Sequence, residues 1–256
     1  MAEAIIAGII DAGLDAAITV GEPVAARRET LAALAGVRVT GDNGEAVRGA
    51  DIVVLAVKPQ QFDTVADSIS GHLKAEQTVL SIMAGVKLHS IGLKLNHHRL
   101  VRVMPNTPMQ VRQGISAWTV SDSVPEDVIS FTGKMLGALG DELKFSDERY
   151  VDMATALSAS GPGYVFMFIE ALADAGVKMG LPAHVARHLS VQTVLGSAAL
   201  ARETKRHPAE LRGMVTSPGG TTAAGLHALE EGGFRAAVVN AVEAAYRRGE
   251  ELAKGK

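Results

Sequence analysis

The chain has 256 residues, 47% hydrophobic and 21% charged, with a net charge of −3 and a pI near 6.2. That is enough for one large or two ordinary domains with full cores, and it lacks the basic excess that nucleic acid or an anionic membrane demands. The absence of cysteine excludes disulfides and thiolate zinc sites and fits a reducing cytoplasm.

Residues 2–12 read as a helix, with Ile5, Ile6, Ile9 and Ile10 on one face and Gly13 as a stop. Glu3 and Asp11, with no basic start, set this segment apart from a signal peptide. A strand at 17–20 ends at Glu22-Pro23, a helix runs over 24–34, and a second strand covers 37–40. After the turn Gly41-Asp42-Asn43-Gly44 and a short helical piece, Ile52 to Val57 is a continuous aliphatic run. It reads as a parallel strand buried on both faces, and it is the longest strongly apolar run, far too short to span a bilayer. Lys58-Pro59 terminates it. Helix 62–73, strand 78–82, helix 90–95 and strand 100–104, stopped by Pro105, continue the alternation. Short strands alternating with helices predict an α/β fold, a doubly wound, mostly parallel sheet with helices on both faces.

Beyond Pro108 the rhythm changes. Stretches 115–120 and 143–145 read as last edge strands around a helix at 127–139, with Trp118 half-buried. From Asp147 onward the pattern is helical: 154–179, interrupted by Ser160-Gly161-Pro162-Gly163, then 182–204, a helix from Pro208, and 234–254. Two domains are expected, a dinucleotide-binding domain over 1–146 and an all-helical one over 147–256. Alanine-rich helices bury little area each, so the second calls for a partner.

Within the helical half, Val215-Thr216-Ser217-Pro218-Gly219-Gly220-Thr221-Thr222 precedes a helical pattern ending at Gly232-Gly233. Pro218 fixes one φ, the glycines admit close backbone approach, and the threonines open the helix. This is either an ordinary loop-to-helix cap or a site where free amides and the dipole hold a small carboxylate. In the sheet half, loops such as Val57-Lys58-Pro59-Gln60 sit at strand ends where nucleotides bind, yet no G-x-G-x-x-G follows a first strand. Glu22 occupies a strand end suited to an adenosine ribose, and Arg27-Arg28 either meet a 2′-phosphate or form a solvated face.

Four segments carry a resemblance: Ala56-Val57-Lys58-Pro59, Met104-Pro105-Asn106-Thr107-Pro108, Ser158-Ala159-Ser160-Gly161-Pro162-Gly163-Tyr164, and Val215 to Thr222. In order and spacing, across nearly the whole chain, the sequence resembles the pyrroline-5-carboxylate reductases. Family members begin with a strand and a glycine loop ending in Asn-Met-Ala-Glu-Ala. Met1-Ala2-Glu3-Ala4 resembles the tail of that segment, which implies a sheet lacking its first strand and a natural start further upstream. Ala159 and Gly163 depart from the family's Ser-Gly-Ser-Gly-Pro-Ala-Tyr.

The resemblance implies reduction of 1-pyrroline-5-carboxylate to L-proline by NADPH, with NADH possible because Glu22 and Arg27-Arg28 argue opposite ways. It implies that Ser217, Gly219, Gly220, Thr221 and Thr222 bind the substrate, with the Thr222 hydroxyl on the ring nitrogen as the catalytic group. Glu148 matches a position near the substrate, and helix capping explains it equally well. Asn43, Ala56, Val57, Lys58, Pro59 and Ala84 match positions lining the cofactor. Asn106 joins them at a strand's C-terminal end, with an Asx turn before Pro108 as the alternative. The family's helical domains interleave as a homodimer, or as larger rings of dimers, with the substrate site beside that interface. No metal is expected: His97-His98 has no carboxylate pair at ligand spacing. Ser158 and Ser160 lack the G-x-S-x-G elbow of a hydrolase. A 3-hydroxyacid dehydrogenase would need K-x-x-x-N, which no lysine here supplies. Reduction of another cyclic imine, or a truncated, catalytically impaired helical dimer module, remain the alternatives.

Overall fold

In the computed structural model, which describes residues 1–253, the chain divides into two compact units. The first is Met1–Ser160 with the C-terminal stretch from Ala245, and the second is Gly161–Ala244.

The first unit opens with α1 (Ala2–Asp11), then β1 (Ile18–Gly21), α2 (Ala25–Ala32), β2 (Val37–Thr40), α3 (Asn43–Val47) and β3 (Ile52–Leu55). It continues with α4 (Phe62–Ile69), β4 (Thr78–Ser81), α5 (Leu88–Leu95), β5 (Leu100–Met104), β6 (Gly114–Val120), α6 (Glu126–Gly137), β7 (Gly140–Lys144) and α7 (Glu148–Ala154). Five strands form one sheet in the order β3-β4-β5-β6-β7, parallel except for the antiparallel β5–β6 pair.

The faces of this sheet follow from period two along the strands. Leu80, Val101, Val103 and Trp118 pack with Ile5 and Ile9 of α1 and Met135 and Leu136 of α6. Val53, Leu55, Val79 and Leu100 pack on the other face with Phe62, Ala66 and Ile69 of α4 and Ile91 and Leu95 of α5. Helices on both faces give the doubly wound, Rossmann-like arrangement expected from the alternation.

Three details correct the sequence reading. The strands do not form one sheet: β1 and β2 pair in parallel as a separate two-stranded sheet, and β3 is an edge strand paired only with β4. A run of four aliphatic residues looks the same at an open edge as at the centre, and Val54 is in fact 37% exposed. Trp118 is buried, its indole N–H donating to Glu142 and its ring under the Lys144 ammonium. The last strand begins at Gly140, ahead of the apolar residues that marked it, because Gly140 at φ +140° passes against Gly114 with no room for a Cβ.

Two-stranded ribbons of four residues are marginal alone. By hydrogen exchange with mass spectrometry, the amides of β1 and β2 are expected to exchange well ahead of those of β4 and β5. Equal protection across all four strands would contradict the split sheet.

The second unit is helical: α8 (Gly161–Lys178), α9 (Ala183–Thr204), α10 (Pro208–Met214), α11 (Thr221–Glu231) and most of α12 (Phe234–Ala253). The helix 154–179 expected from the pattern is broken: α7 ends at Ala154, one π turn spans Thr155–Ala159, and α8 begins at Gly161 with Pro162 in its first turn, where a missing N–H costs nothing. Among the described residues of this unit only Gly176, Ala186 and Ser190 are fully buried. Phe166, Met167, Leu195 and Val239 are each more than half exposed. Within Glu148–Lys178 an 18-residue window reaches a mean hydropathy of 1.2, which by length and composition alone is enough to cross a membrane. Alanine-rich helices reach that length without any strongly apolar run.

Candidate functional site

In the second unit the chain leaves α10, turns through Val215–Gly220 and enters α11. The Thr216 hydroxyl donates to the Arg212 carbonyl at 2.6 Å, which ties the turn to the end of α10. Gly219 sits at φ +69°, where a side chain strains the backbone. Gly220 is the N-cap residue, extended at φ −80°, ψ 171°, and its N–H closes the turn onto the Ser217 carbonyl at 3.0 Å. A Cβ on Gly220 would lie 2.3 Å from the Ser217 hydroxyl oxygen, so that hydroxyl is seated against the cap.

The first intrahelical bond runs from the Ala224 N–H to the Gly220 carbonyl, and no side chain caps the helix. The amides of Thr221, Thr222 and Ala223 thus face outward with the positive end of the dipole behind them. Among the described residues the Thr221 and Thr222 hydroxyls have no intramolecular partner. Five of the residues expected to bind substrate are therefore gathered in one helix start, with open donors that suit a carboxylate.

In the first unit the loops after β3, β4 and β5 leave one edge of the parallel strands, and each carries expected residues. Ala56-Val57-Lys58-Pro59 follows β3. Lys58 is exposed with extended backbone, and its ammonium has no partner among the described residues. Ala84 follows β4, exposed beside Gly85 at φ +74°. A Cβ on Gly85 would lie 3.5 Å from Leu252 Cβ, so the last turn of α12 braces this loop. Asn43 opens α3 after β2, and its amide nitrogen donates to the Ser68 hydroxyl on α4 at 3.2 Å. An exposed lysine and an amide at strand C-termini are donors of the kind that phosphate and ribose oxygens require, so these residues fit a dinucleotide.

The Asn106 side chain makes structural bonds in place of an Asx turn. It is buried: the oxygen accepts from the Ile115 N–H at 3.0 Å, and the nitrogen donates to the Ser158 carbonyl at 3.2 Å. It bridges the end of β5 to β6 and to the π turn.

Glu148 is the first residue of α7, but it does not cap that helix. Asp147 does, accepting from the Arg149 N–H at 2.9 Å, and the Arg149 guanidinium beside it holds the Asp147 carboxyl below its usual range. Glu148 instead accepts from Arg102 Nη1 and from the Leu88 N–H, both at 2.8 Å.

The basic pair after β1 also separates. Arg27 pairs with Glu3 on α1 at 2.7 Å, while Arg28 donates to the carbonyls of Glu22 and Pro23 at 2.9 and 2.8 Å. Glu22 itself accepts from the Val24 N–H at 3.0 Å.

The residue that sequence reasoning passed over is Arg102. It is fully buried in β5 and also donates from Nη2 to Asp152 at 2.6 Å. An arginine inside Leu-Val-Arg-Val-Met is itself the signal, because a buried guanidinium demands acids across from it.

Residues 148–252 match the family described as "Pyrroline-5-carboxylate reductase dimerisation", and residues 1–85 match "NADP oxidoreductase coenzyme F420-dependent". A pyrroline-5-carboxylate reductase of Synechocystis is 45% identical over 256 residues, 99% of this chain and 95% of that protein. The solved structure of such a reductase from Coxiella burnetii is 37% identical with a TM-score of 0.90, over 98% of this chain and 94% of that one. A Plasmodium falciparum pyrroline carboxylate reductase solved with NADP bound is 30% identical with a TM-score of 0.87, over the same shares.

Proposed function

The chain belongs to the pyrroline-5-carboxylate reductase family, and from that premise we propose how its own residues run the reduction of 1-pyrroline-5-carboxylate to L-proline. NADPH supplies a hydride to the imine carbon, and the ring nitrogen takes up a proton.

The protein's task is to hold, orient and hydrogen-bond. The N–H groups of Thr221, Thr222 and Ala223 hold the substrate carboxylate, with the α11 dipole behind them. Gly219 and Gly220 keep that approach free of side chains, and Ser217 stands at its rim. The Thr222 hydroxyl, one residue into the helix and without a partner among the described residues, hydrogen-bonds the ring nitrogen and orients the C=N bond. On the cofactor side Asn43, the segment Ala56-Val57-Lys58-Pro59 and Ala84 line the dinucleotide. Asn106 acts behind them by fixing the end of β5. The observation that carries this reading is the open helix start: its amides and hydroxyls are donors with no acceptor among the described residues.

Steady-state assay of the purified chain with 1-pyrroline-5-carboxylate and each cofactor tests it. NADPH oxidation coupled to proline formation is the expected result. Turnover of other cyclic imines with none of the pyrroline carboxylate would favour the imine-reductase alternative, because the carboxylate anchor would then be idle.

The second unit's apolar helix faces point to a second copy of the chain as their cover, in keeping with the dimerisation family matched there. That also accounts for Glu148–Lys178 without a membrane. We place the enzyme in the cytoplasm, a reading supported by a cysteine-free chain. Leu195→Glu on α9 puts a charge into the expected contact, and light scattering is expected to show a dimer of the parent chain become a monomer. A monomeric parent chain would contradict the assignment.

A further inference from the structure

The loop after β4 runs from Ala84 through Gly85, Val86 and Lys87 into α5, and nothing on α5 itself caps that helix. Its first amide, Leu88 N–H, is instead taken by Glu148 Oε1 at 2.8 Å, sixty residues further along the chain. The same oxygen accepts from Arg102 Nη1 at 2.8 Å. Asp152, one turn on in α7, accepts from Arg102 Nη2 at 2.6 Å and lies 3.7 Å from the Lys87 ammonium. Arg102 is rooted in β5, one strand from β4 in the sheet, and its guanidinium is wholly buried. The two acids therefore grip one loop at two successive residues, Lys87 and Leu88, and a fixed strand through Arg102. The family match at 148–252 assigns α7 to dimerisation, yet α7 packs in the sheet unit.

We propose that Glu148 and Asp152 are positioning residues for NADPH: held by Arg102, they fix the loop of Ala84 to Leu88 against the sheet, and Glu148 is not a ligand of the substrate. This rests on Ala84 lining the cofactor. A flexible loop must be ordered each time the dinucleotide binds, and that ordering cost is removed when the loop is already tied. A side chain one ångström out of place at such a site costs up to about a hundredfold. Oε1 of Glu148 takes both bonds, from the loop's amide and from the guanidinium, which suits an internal clamp.

The test is Glu148→Gln in the full-length protein, read by NADPH titration, by steady-state kinetics and by hydrogen exchange of the peptide covering 83–92. Loss of the charge is expected to raise the Kd for NADPH about tenfold and to speed exchange in that peptide, with the KM for pyrroline-5-carboxylate changed less than about twofold. Leu88→Pro is the second variant, should the first fold poorly. Proline suits the first position of a helix; it deletes the amide that Glu148 accepts, and with it part of the Leu88 packing on the core, while Arg102 keeps both acids. It is expected to raise the NADPH Kd in the same direction. A raised KM for the substrate with unchanged NADPH Kd would overturn the proposal and return Glu148 to the substrate. Unchanged exchange at 83–92 in both variants would also overturn it. Ala84→Phe separates the two readings: if it leaves NADPH binding intact, the loop does not line the cofactor, whatever the clamp does.

Discussion

Thr222→Val is expected to lower kcat/KM for 1-pyrroline-5-carboxylate by about a hundredfold or more, the low end of what a positioned proton donor contributes. Valine keeps the shape and β-branching of threonine and removes only the hydroxyl, so the helix start, its open amides and the Gly219-Gly220 turn remain. The carboxylate can still dock on the Thr221 and Thr222 amides, which places the loss mainly in kcat. Thr222→Ser restores the hydroxyl and is expected to recover most of the rate, less what is lost to a freer χ1. Stopped-flow or steady-state oxidation of NADPH at saturating cofactor reads both. If the valine variant keeps its kcat and only KM rises, the hydroxyl positions substrate without helping protonate it. If neither parameter moves, the ring nitrogen is served by another donor and the reading of the site is wrong at its centre.

How much of this was written in the sequence depends on what kind of physical constraint each residue obeys. The alternation of strands and helices, the helix start at Thr221 and the two glycines before it follow from local rules: period, capping and positive φ. These were legible because neighbours in sequence enforce them. What sequence reading missed was set by residues far apart in the chain. Glu148 carries an acid at a helix start, and local logic made it a cap for its own helix. It caps α5 instead, because Arg102 in β5 pulls it there. Asn106 before Thr-Pro suggested an Asx turn. Its two polar atoms are spent on Ile115 and Ser158, contacts that exist only once β6 and the π turn are in place. A continuous aliphatic run such as Ile52–Leu55 cannot report whether a neighbour strand stands on each side. The edge position appears only in the pairing, with β1 and β2 in a sheet of their own. The alanine-rich composition already called for a partner, but it did not say which side chains of the second unit stay open: Phe166, Met167, Leu195 and Val239 do.

Arg102→Met is expected to destabilise the sheet unit by about 3–5 kcal/mol, the cost of leaving a buried ion pair without one partner. At roughly 2–4 °C per kcal/mol for a unit of this size, the melting temperature falls by about 6–20 °C. The size of the loss comes from asymmetry. Glu148 and Asp152 keep side-chain exposures of 26% and 20%, so water partly rescues the acids, but it cannot reach the space that the guanidinium fills in β5. Methionine fills that space and satisfies neither carboxylate. Lysine is expected to recover little, because one ammonium cannot reproduce two N–H bonds to two separate acids. The informative variant is the combination of Arg102→Met with Glu148→Gln and Asp152→Asn. With no charge left to strand, it is expected to recover much of the lost melting temperature, as replacing a whole buried ionic group often does. It is expected not to recover NADPH affinity, since the tie between α7 and the β4–α5 loop is then neutral and weak. Circular dichroism melts and NADPH titration on the same three proteins separate these effects. Recovery of stability without recovery of binding shows that evolution has kept the charged cluster for the loop it holds and not for the fold. An Arg102→Met protein that melts with the parent chain would mean that the cluster does neither.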